Sequence, residues 1–261
     1  MLPRLVGMVH LAALPGAPSY RGDLHAVISS ALEDAAALAE AGFDGLMVEN
    51  FGDAPFFADD VPKITVAAMT RVVAELRAVV DLPVGVNLLR NDALGALAVA
   101  AATGAGFVRV NVLSGMMFTD QGPIVGRAAE VARTRAALAP EVAVMADVFV
   151  KHASPPSGLT LTAATRDLVE RAGADVVVVS GAATGDSPDA GDVATVVGAA
   201  GHCPVYVGSG ATVDNVAELL ATATGVIVGT ALKAGGTTTN PIDPGRAAAF
   251  VAAASPALHR A

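Results

Sequence analysis

Eight short apolar runs in this sequence each end in residues able to do chemistry. The first closes on His10, the second on Glu49 and Asn50, and the third on Asn87, with Arg90, Asn91 and Asp92 just beyond. Arg109 and Asn111 lie in the fourth, Asp147 closes the fifth with Lys151 and His152 just beyond, and Ser180 closes the sixth; the last two end in Gly208-Ser209-Gly210 and Gly229-Thr230. Asp147 and Glu49 are the leading catalytic carboxylates. A carboxyl closing an apolar strand is partly desolvated, which raises its pKa toward the range useful for proton transfer. Lys151 and His152 could supply the opposing acid or an electrophilic charge, and His10 is a further acid–base candidate. Asn50, Asn87, Arg90, Asp92, Arg109, Asn111 and Ser180 suit the orientation of substrate hydroxyls and developing charge. Plainer readings stand beside these: Asn91 and Asp92 as helix caps, His10 as a hydrogen-bonded loop residue, Asp147 with Lys151 as a structural ion pair. A Schiff-base role for Lys151 or Lys233 requires burial, which sequence does not show.

Gly208, Ser209, Gly210, Gly229 and Thr230 form the best-argued binding group. Glycine lets backbone N–H groups approach an anion, the two hydroxyls add donors, and a following helix N-terminus adds about half a positive charge. A phosphate is the anion expected there; the alternative is that these glycines only make tight turns. A dinucleotide fingerprint fails, because position 213 is Val where G-x-G-x-x-G needs glycine. A nucleophile elbow fails as well, since Val207 precedes Gly208. Glu49, Asp147 and a histidine could hold a divalent metal ion of the magnesium or manganese type, but no HExxH or paired-cysteine spacing supports zinc.

The elements that must position these groups repeat. A β-branched run, a polar or glycine-containing loop and an Ala/Leu-rich helical stretch recur eight times, with runs at 5–9, 45–49, 84–87, 107–111, 143–147, 176–180, 205–208 and 226–228. Nearly all-apolar runs read as parallel strands buried on both faces. Val27, Ala31, Ala35 and Leu38, then Met69, Val72, Val73, Leu76 and Val80, have helical spacing, and Gly42, Gly104 and Gly173 mark helix ends. At 261 residues the fold class expected is α/β, a single (β/α)₈ TIM barrel over residues 1–261, with its site at the C-terminal ends of the strands. Periodicity does not show closure, so an open doubly wound sheet is the alternative. The longest irregular stretches, 11–22, 50–63, 113–123 and 151–158, all follow strands, where a barrel builds its site.

Composition excludes several classes. A net charge of −9, no window rich in Lys and Arg, 4% aromatic residues and no Trp argue against a nucleic-acid partner. Mean hydropathy is +0.57, yet the longest uncharged stretch, 193–213, is broken by glycines, His202 and Pro204, so no membrane span is expected. The N-terminus meets His10 before a signal peptide's apolar region could form, and Cys203 is the only cysteine, so a cytoplasmic location is expected.

Several longer segments carry a family likeness: Gly7-Met8-Val9-His10-Leu11, Glu49-Asn50-Phe51-Gly52-Asp53, Arg90-Asn91-Asp92, Val150-Lys151-His152-Ala153 and Val207-Gly208-Ser209-Gly210. With them the chain resembles the BtpA family, named for a cyanobacterial protein associated with photosystem I biogenesis, over nearly its whole length. The resemblance implies a barrel like those that bind ribulose phosphate and related compounds. It supplies no catalytic assignment. Two functions are therefore carried: an enzyme acting by acid–base chemistry on a phosphorylated sugar or nucleoside-like small molecule, by isomerisation, lyase chemistry or glycosidic-bond cleavage, and a non-catalytic assembly or regulatory factor. Helices rich in Ala, Val and Leu and poor in charge also favour a homo-oligomer.

Overall fold

The computed structural model describes residues 2–181 and 184–258. The apolar runs form β1 (Leu5–His10), β2 (Gly45–Glu49), β3 (Val84–Asn87), β4 (Phe107–Val110), β7 (Ala143–Val148), β9 (Val176–Val179), β10 (Val205–Val207) and β11 (Gly225–Val228). These eight close into a parallel barrel in the order β1-β11-β10-β9-β7-β4-β3-β2, sealed by the β1–β2 ladder. The α/β barrel read from the sequence is therefore the observed fold, and the open sheet is excluded.

The helices α1 (Leu24–Ala41), α2 (Lys63–Arg77), α3 (Ala93–Thr103), α4 (Ala128–Leu138), α5 (Leu161–Arg166), α6 (Ala190–Ala200), α7 (Val216–Thr222) and α8 (Pro244–Leu258) surround it. The Asp23 side chain caps the start of α1 and left-handed Gly42 ends it; Asp92 and Gly104 do the same for α3. Val27, Ala31, Ala35 and Leu38 of α1 and Met69, Val72, Val73 and Leu76 of α2 are buried against the strands, as their spacing predicts.

Two stretches read as irregular hold a second, small sheet. β5 (Met116–Thr119), β6 (Gly122–Val125) and β8 (Ala153–Ser154) pair antiparallel in the order β6-β5-β8. Met117 and Ile124 bury against Val112 and Val150, while Phe118 and Val125 stay exposed. Strands this short give too few alternations to stand out from a loop.

Strand alternation divides the core in two. Val9, Val48, Val86, Val108, Ala146, Val177 and Val207 face the helices. Val6, Met8, Met47, Phe107, Met145, Val176, Val178, Tyr206 and Ile227 fill the barrel interior. Gly85 admits the Phe107 ring, since a Cβ there would lie 2.1 Å from it, and the Tyr206 hydroxyl donates to the Pro3 carbonyl at 2.8 Å. The interior is therefore packed at the N-terminal end and becomes polar only at the other.

Candidate functional site

Continuing the inward alternation by two residues generates the site. Met8 leads to His10, Met47 to Glu49, Gly85 to Asn87, Phe107 to Arg109 and Asn111, Met145 to Asp147, Val178 to Ser180, Tyr206 to Gly208 and Ile227 to Gly229. These positions meet at the C-terminal mouth, where a cavity of ≈ 520 Å³ opens. One side is lined by His10, Glu49, Arg109 and Lys151; the other by Gly208, Ser209, Gly210, Thr212, Gly229, Thr230 and Arg246.

Asp147 lies at the centre of a buried network. Arg109 grips it bidentately, Nε to Oδ2 at 2.9 Å and Nη2 to Oδ1 at 2.7 Å, while Asn111 Nδ2 donates to Oδ2 at 2.8 Å and Ser180 Oγ to Oδ1 at 3.3 Å. Asn87 Nδ2 donates to the Arg109 carbonyl at 3.2 Å. With both oxygens occupied, Asp147 is built to hold Arg109. Glu49 is buried, and its carboxyl group makes no hydrogen bond among the described residues. Burial raises its pKa, against the opposing pull of Lys151, Arg109 and Arg90. His10 Nε2 lies 3.6 Å from Glu49 Oε1, but burial, aided by Lys233, Lys151 and Arg109, pushes its pKa down to about 3. The ring is therefore neutral, and this contact is no ion pair.

Lys151 is half-buried, and its side-chain amine has no hydrogen bond or ion pair among the described residues. Burial lowers its pKa; Glu49 pulls the other way, opposed by Arg109. Arg90 Nη2 donates to the Lys151 carbonyl at 2.5 Å and so fixes the loop. His152 stands outside the cavity lining, its Nε2 3.0 Å from Thr184 Oγ1 and accepting from the Thr184 amide at 3.3 Å. Lys233 is fully buried and donates to Asp34 at 2.5 Å, so it is a structural cation under the loop after β11.

Much of the motif chemistry turns out to be scaffolding. Asn50 accepts from the Leu89 amide at 2.7 Å and donates to Asp53 at 3.0 Å; Asp53 accepts from the Leu14 amide at 2.7 Å. Gly52 must be glycine, because a Cβ would sit 2.3 Å from Ala13 N. Asn91 brackets Val112 through both backbone atoms, and Asp92 accepts from the amides of Val61 and Gly95. The Ser209 hydroxyl is likewise occupied, accepting from the Gly181 amide at 3.1 Å and donating to the Asp186 carbonyl at 3.0 Å. Gly210, at φ +74, has Ser187 N 2.1 Å from where its Cβ would be, and Gly229 leaves room for the His10 ring. Thr230 Oγ1 lies 2.9 Å from Thr238 Oγ1.

Arg246 was missed by the sequence reading. It sits in the first turn of α8, where a cation opposes the helix dipole, and that mismatch was the available signal. The proposed Glu49–Asp147–histidine metal set does not fit, since Asp147 is saturated by Arg109 and Asn111 and cations share the cavity. Among the described residues, the one cluster with ligand spacing is Asp59, Asp60 and Asp92. Arg127 already bridges Asp59 and Asp60, at 3.2 Å to each. A second cavity, ≈ 640 Å³, opens between α4 and α5 and touches Asn111 and Asp147 from outside, but it lacks Glu49, Lys151 and the glycine loops. No helix among the described residues is long and apolar enough to cross a membrane.

In overall shape the chain is similar to N-(5'-phosphoribosyl)anthranilate isomerase from Pyrococcus furiosus, with a TM-score of 0.59 and 15% identity, covering 97% of this chain and 98% of that one. It is also similar to 3-hexulose-6-phosphate synthase, with a TM-score of 0.58 and 16% identity over 96% and 99% of the two chains. At such identities the likeness shows the fold alone. Sequence likeness goes further. The photosystem I biogenesis protein BtpA of Synechocystis sp. is 48% identical over 254 residues, 97% of this chain and 88% of that protein. An uncharacterized protein of Thermococcus kodakarensis is 49% identical over 95% of this chain and 93% of its own length. The sequence profile of the BtpA family matches residues 2–256, and the chain belongs to that family.

Proposed function

We propose that this barrel is an enzyme that binds a phosphorylated sugar or nucleoside-like small molecule and acts on it by proton transfer. One observation carries the reading: a single cavity joins a glycine-lined wall bearing Thr230 and Arg246 to Glu49, neutral His10 and Lys151. The backbone of Ser209–Gly210 and Gly229–Thr230 receives the phosphate, the Gly208 amide being given to the Val179 carbonyl at 2.8 Å, with Arg246 as the counter-charge. Glu49 serves as the acid–base group, because burial raises its pKa and favours its protonated form. Arg109, held rigid by Asp147, stabilises negative charge as it develops. Among the described residues, His10 Nδ1, Asn87 Oδ1 and Asn111 Oδ1 are buried without partners. Each such atom costs about 1–3 kcal/mol, which a polar ligand would offset. The shared architecture with two barrels named for phosphorylated compounds is compatible with this and decides nothing alone.

The test is a panel of sugar phosphates and nucleotides incubated with the protein in D₂O and followed by proton NMR. Loss of a carbon-bound proton signal, or appearance of a product, is expected for one class, and Glu49→Gln should slow it by about 10²–10⁴-fold. Turnover unaffected by Glu49→Gln would remove its assigned role. The same reading takes the folded unit to be one barrel, assembled into homo-oligomers; light scattering should give a mass above one chain, and a monomer at every concentration would contradict that. The name of the Synechocystis relative supports a second reading, an assembly factor without catalysis, which predicts no turnover across the panel.

A further inference from the structure

Lysine is scarce in this chain. Lys63, Lys151 and Lys233 stand against thirteen arginines, so arginine is the default cation. The two differ chemically: an arginine keeps its proton in a protein, whereas a buried lysine can lose it and become a nucleophile. Lys63 is exposed and Lys233 is locked to Asp34. Lys151 alone lines the cavity, and no partner occupies its amine among the described residues.

Its backbone is held with unusual firmness. Phe149 and His152 flank it at φ 51 and φ 55, a left-handed conformation that costs a bulky residue about 1–3 kcal/mol and persists only where its surroundings impose it. Arg90 holds the Lys151 carbonyl from one side, and Thr184 holds His152 from the other. That loop presents a lysine, not an arginine, to the same space as Glu49. Burial, with Arg109 and Arg90 nearby, favours the uncharged amine against the pull of Glu49.

We propose that Lys151 is a catalytic residue that forms a Schiff base with a phosphorylated aldehyde or ketone. The proposal rests on the phosphate-site reading above, which places the carbonyl end of such a molecule on the Glu49 side of the cavity. The amine lone pair forms the N–C bond as the carbonyl π pair moves to oxygen, and a proton passes from nitrogen to that oxygen. Protonated Glu49 then gives its proton to the carbinol hydroxyl, which leaves as water while the nitrogen lone pair makes the C=N bond. The result is an iminium beside the Glu49 carboxylate. That cation draws electrons from a neighbouring C–H or C–C bond, with Glu49 placed to take the proton, so the scheme narrows the reaction to isomerisation or lyase chemistry on carbonyl phosphates.

The experiment is sodium borohydride trapping with dihydroxyacetone phosphate, glyceraldehyde 3-phosphate and ribulose 5-phosphate, followed by peptide mass spectrometry. Hydride converts an iminium to a stable secondary amine. At least one compound should leave a reduced adduct on Lys151 in preference to the exposed Lys63. Excess inorganic phosphate should suppress the labelling, Lys151→Arg and Lys151→Met should abolish it, and Lys63→Arg should leave it whole. Circular dichroism of both Lys151 variants checks that they fold, and thermal unfolding with the same compounds reads phosphate binding separately. Stabilisation without an adduct on Lys151, or an adduct equally on Lys63, overturns the Schiff base while the phosphate reading stands. Neither stabilisation nor labelling overturns both.

Discussion

At the scale of single residues, His10 shows how strongly the site is tuned. Its folded pKa of about 3 lies below the ordinary 6.5, so the unfolded chain binds a proton in this interval that the folded chain does not. Stability contributed by keeping this ring neutral is complete above pH 6.5 and is lost as pH falls toward 3, at about 1.4 kcal/mol per pH unit. Urea unfolding of His10→Gln against the parent should show that part of the acid slope removed between pH 6.5 and about 5. Equal slopes would mean that the ring is not buried as described. Sequence reading singled out His10, Glu49, Arg109 and Lys151, which line the cavity, because each lies in or closes an apolar strand or stands in the loop after one. It could not separate Glu49 from Asp147, since both are carboxylates closing strands. What distinguishes them is the bidentate Arg109 contact, made across 38 positions of chain.

Elements explain why conspicuous motifs can be structural. Asn50, Asp53, Asn91 and Asp92 spend their side chains on backbone groups of the loops after β1, β2, β3 and β4, which fixes the rim that carries Glu49 and Arg90. Polar residues after strands look alike in sequence whether they face a substrate or a neighbouring amide. The Asp34–Lys233 pair does a similar job between α1 and the segment before α8, where Asp34 also accepts from the Ile242 amide at 2.7 Å. Lys233→Met should cost about 3–5 kcal/mol in a denaturant titration, because it leaves a buried carboxylate without its cation. Asp34→Asn combined with it should recover part of the loss; a cost below about 1 kcal/mol for the single change would show the pair to be solvated. The strands were legible to within a residue or so because each is short, apolar and bounded by polar groups. The small β5-β6-β8 sheet was not, because its pairing brings together two loops separated by β7 and α4.

For the whole molecule, one pattern runs from composition to site. Apolar inward residues fill the barrel up to its last layer, and the next layer is almost wholly polar or glycine, so the mouth is the one end at which a charged ligand meets partners. Closure could not be read from periodicity, but chain length and the count of units pointed to it. The central claim is that this mouth takes a phosphorylated compound with its phosphate beside Gly208–Gly210, Gly229–Thr230 and Arg246. The measurement that tests it most directly is thermal unfolding in buffer free of phosphate and sulfate, against inorganic phosphate, sugar phosphates and nucleotides, for the parent and Arg246→Glu. Near a hundredfold above Kd a ligand stabilises by about 2.7 kcal/mol, a rise of several degrees for a chain of this size. The account predicts that rise with one phosphorylated class and its loss in Arg246→Glu; no rise across the panel, or one that the substitution leaves whole, would contradict it.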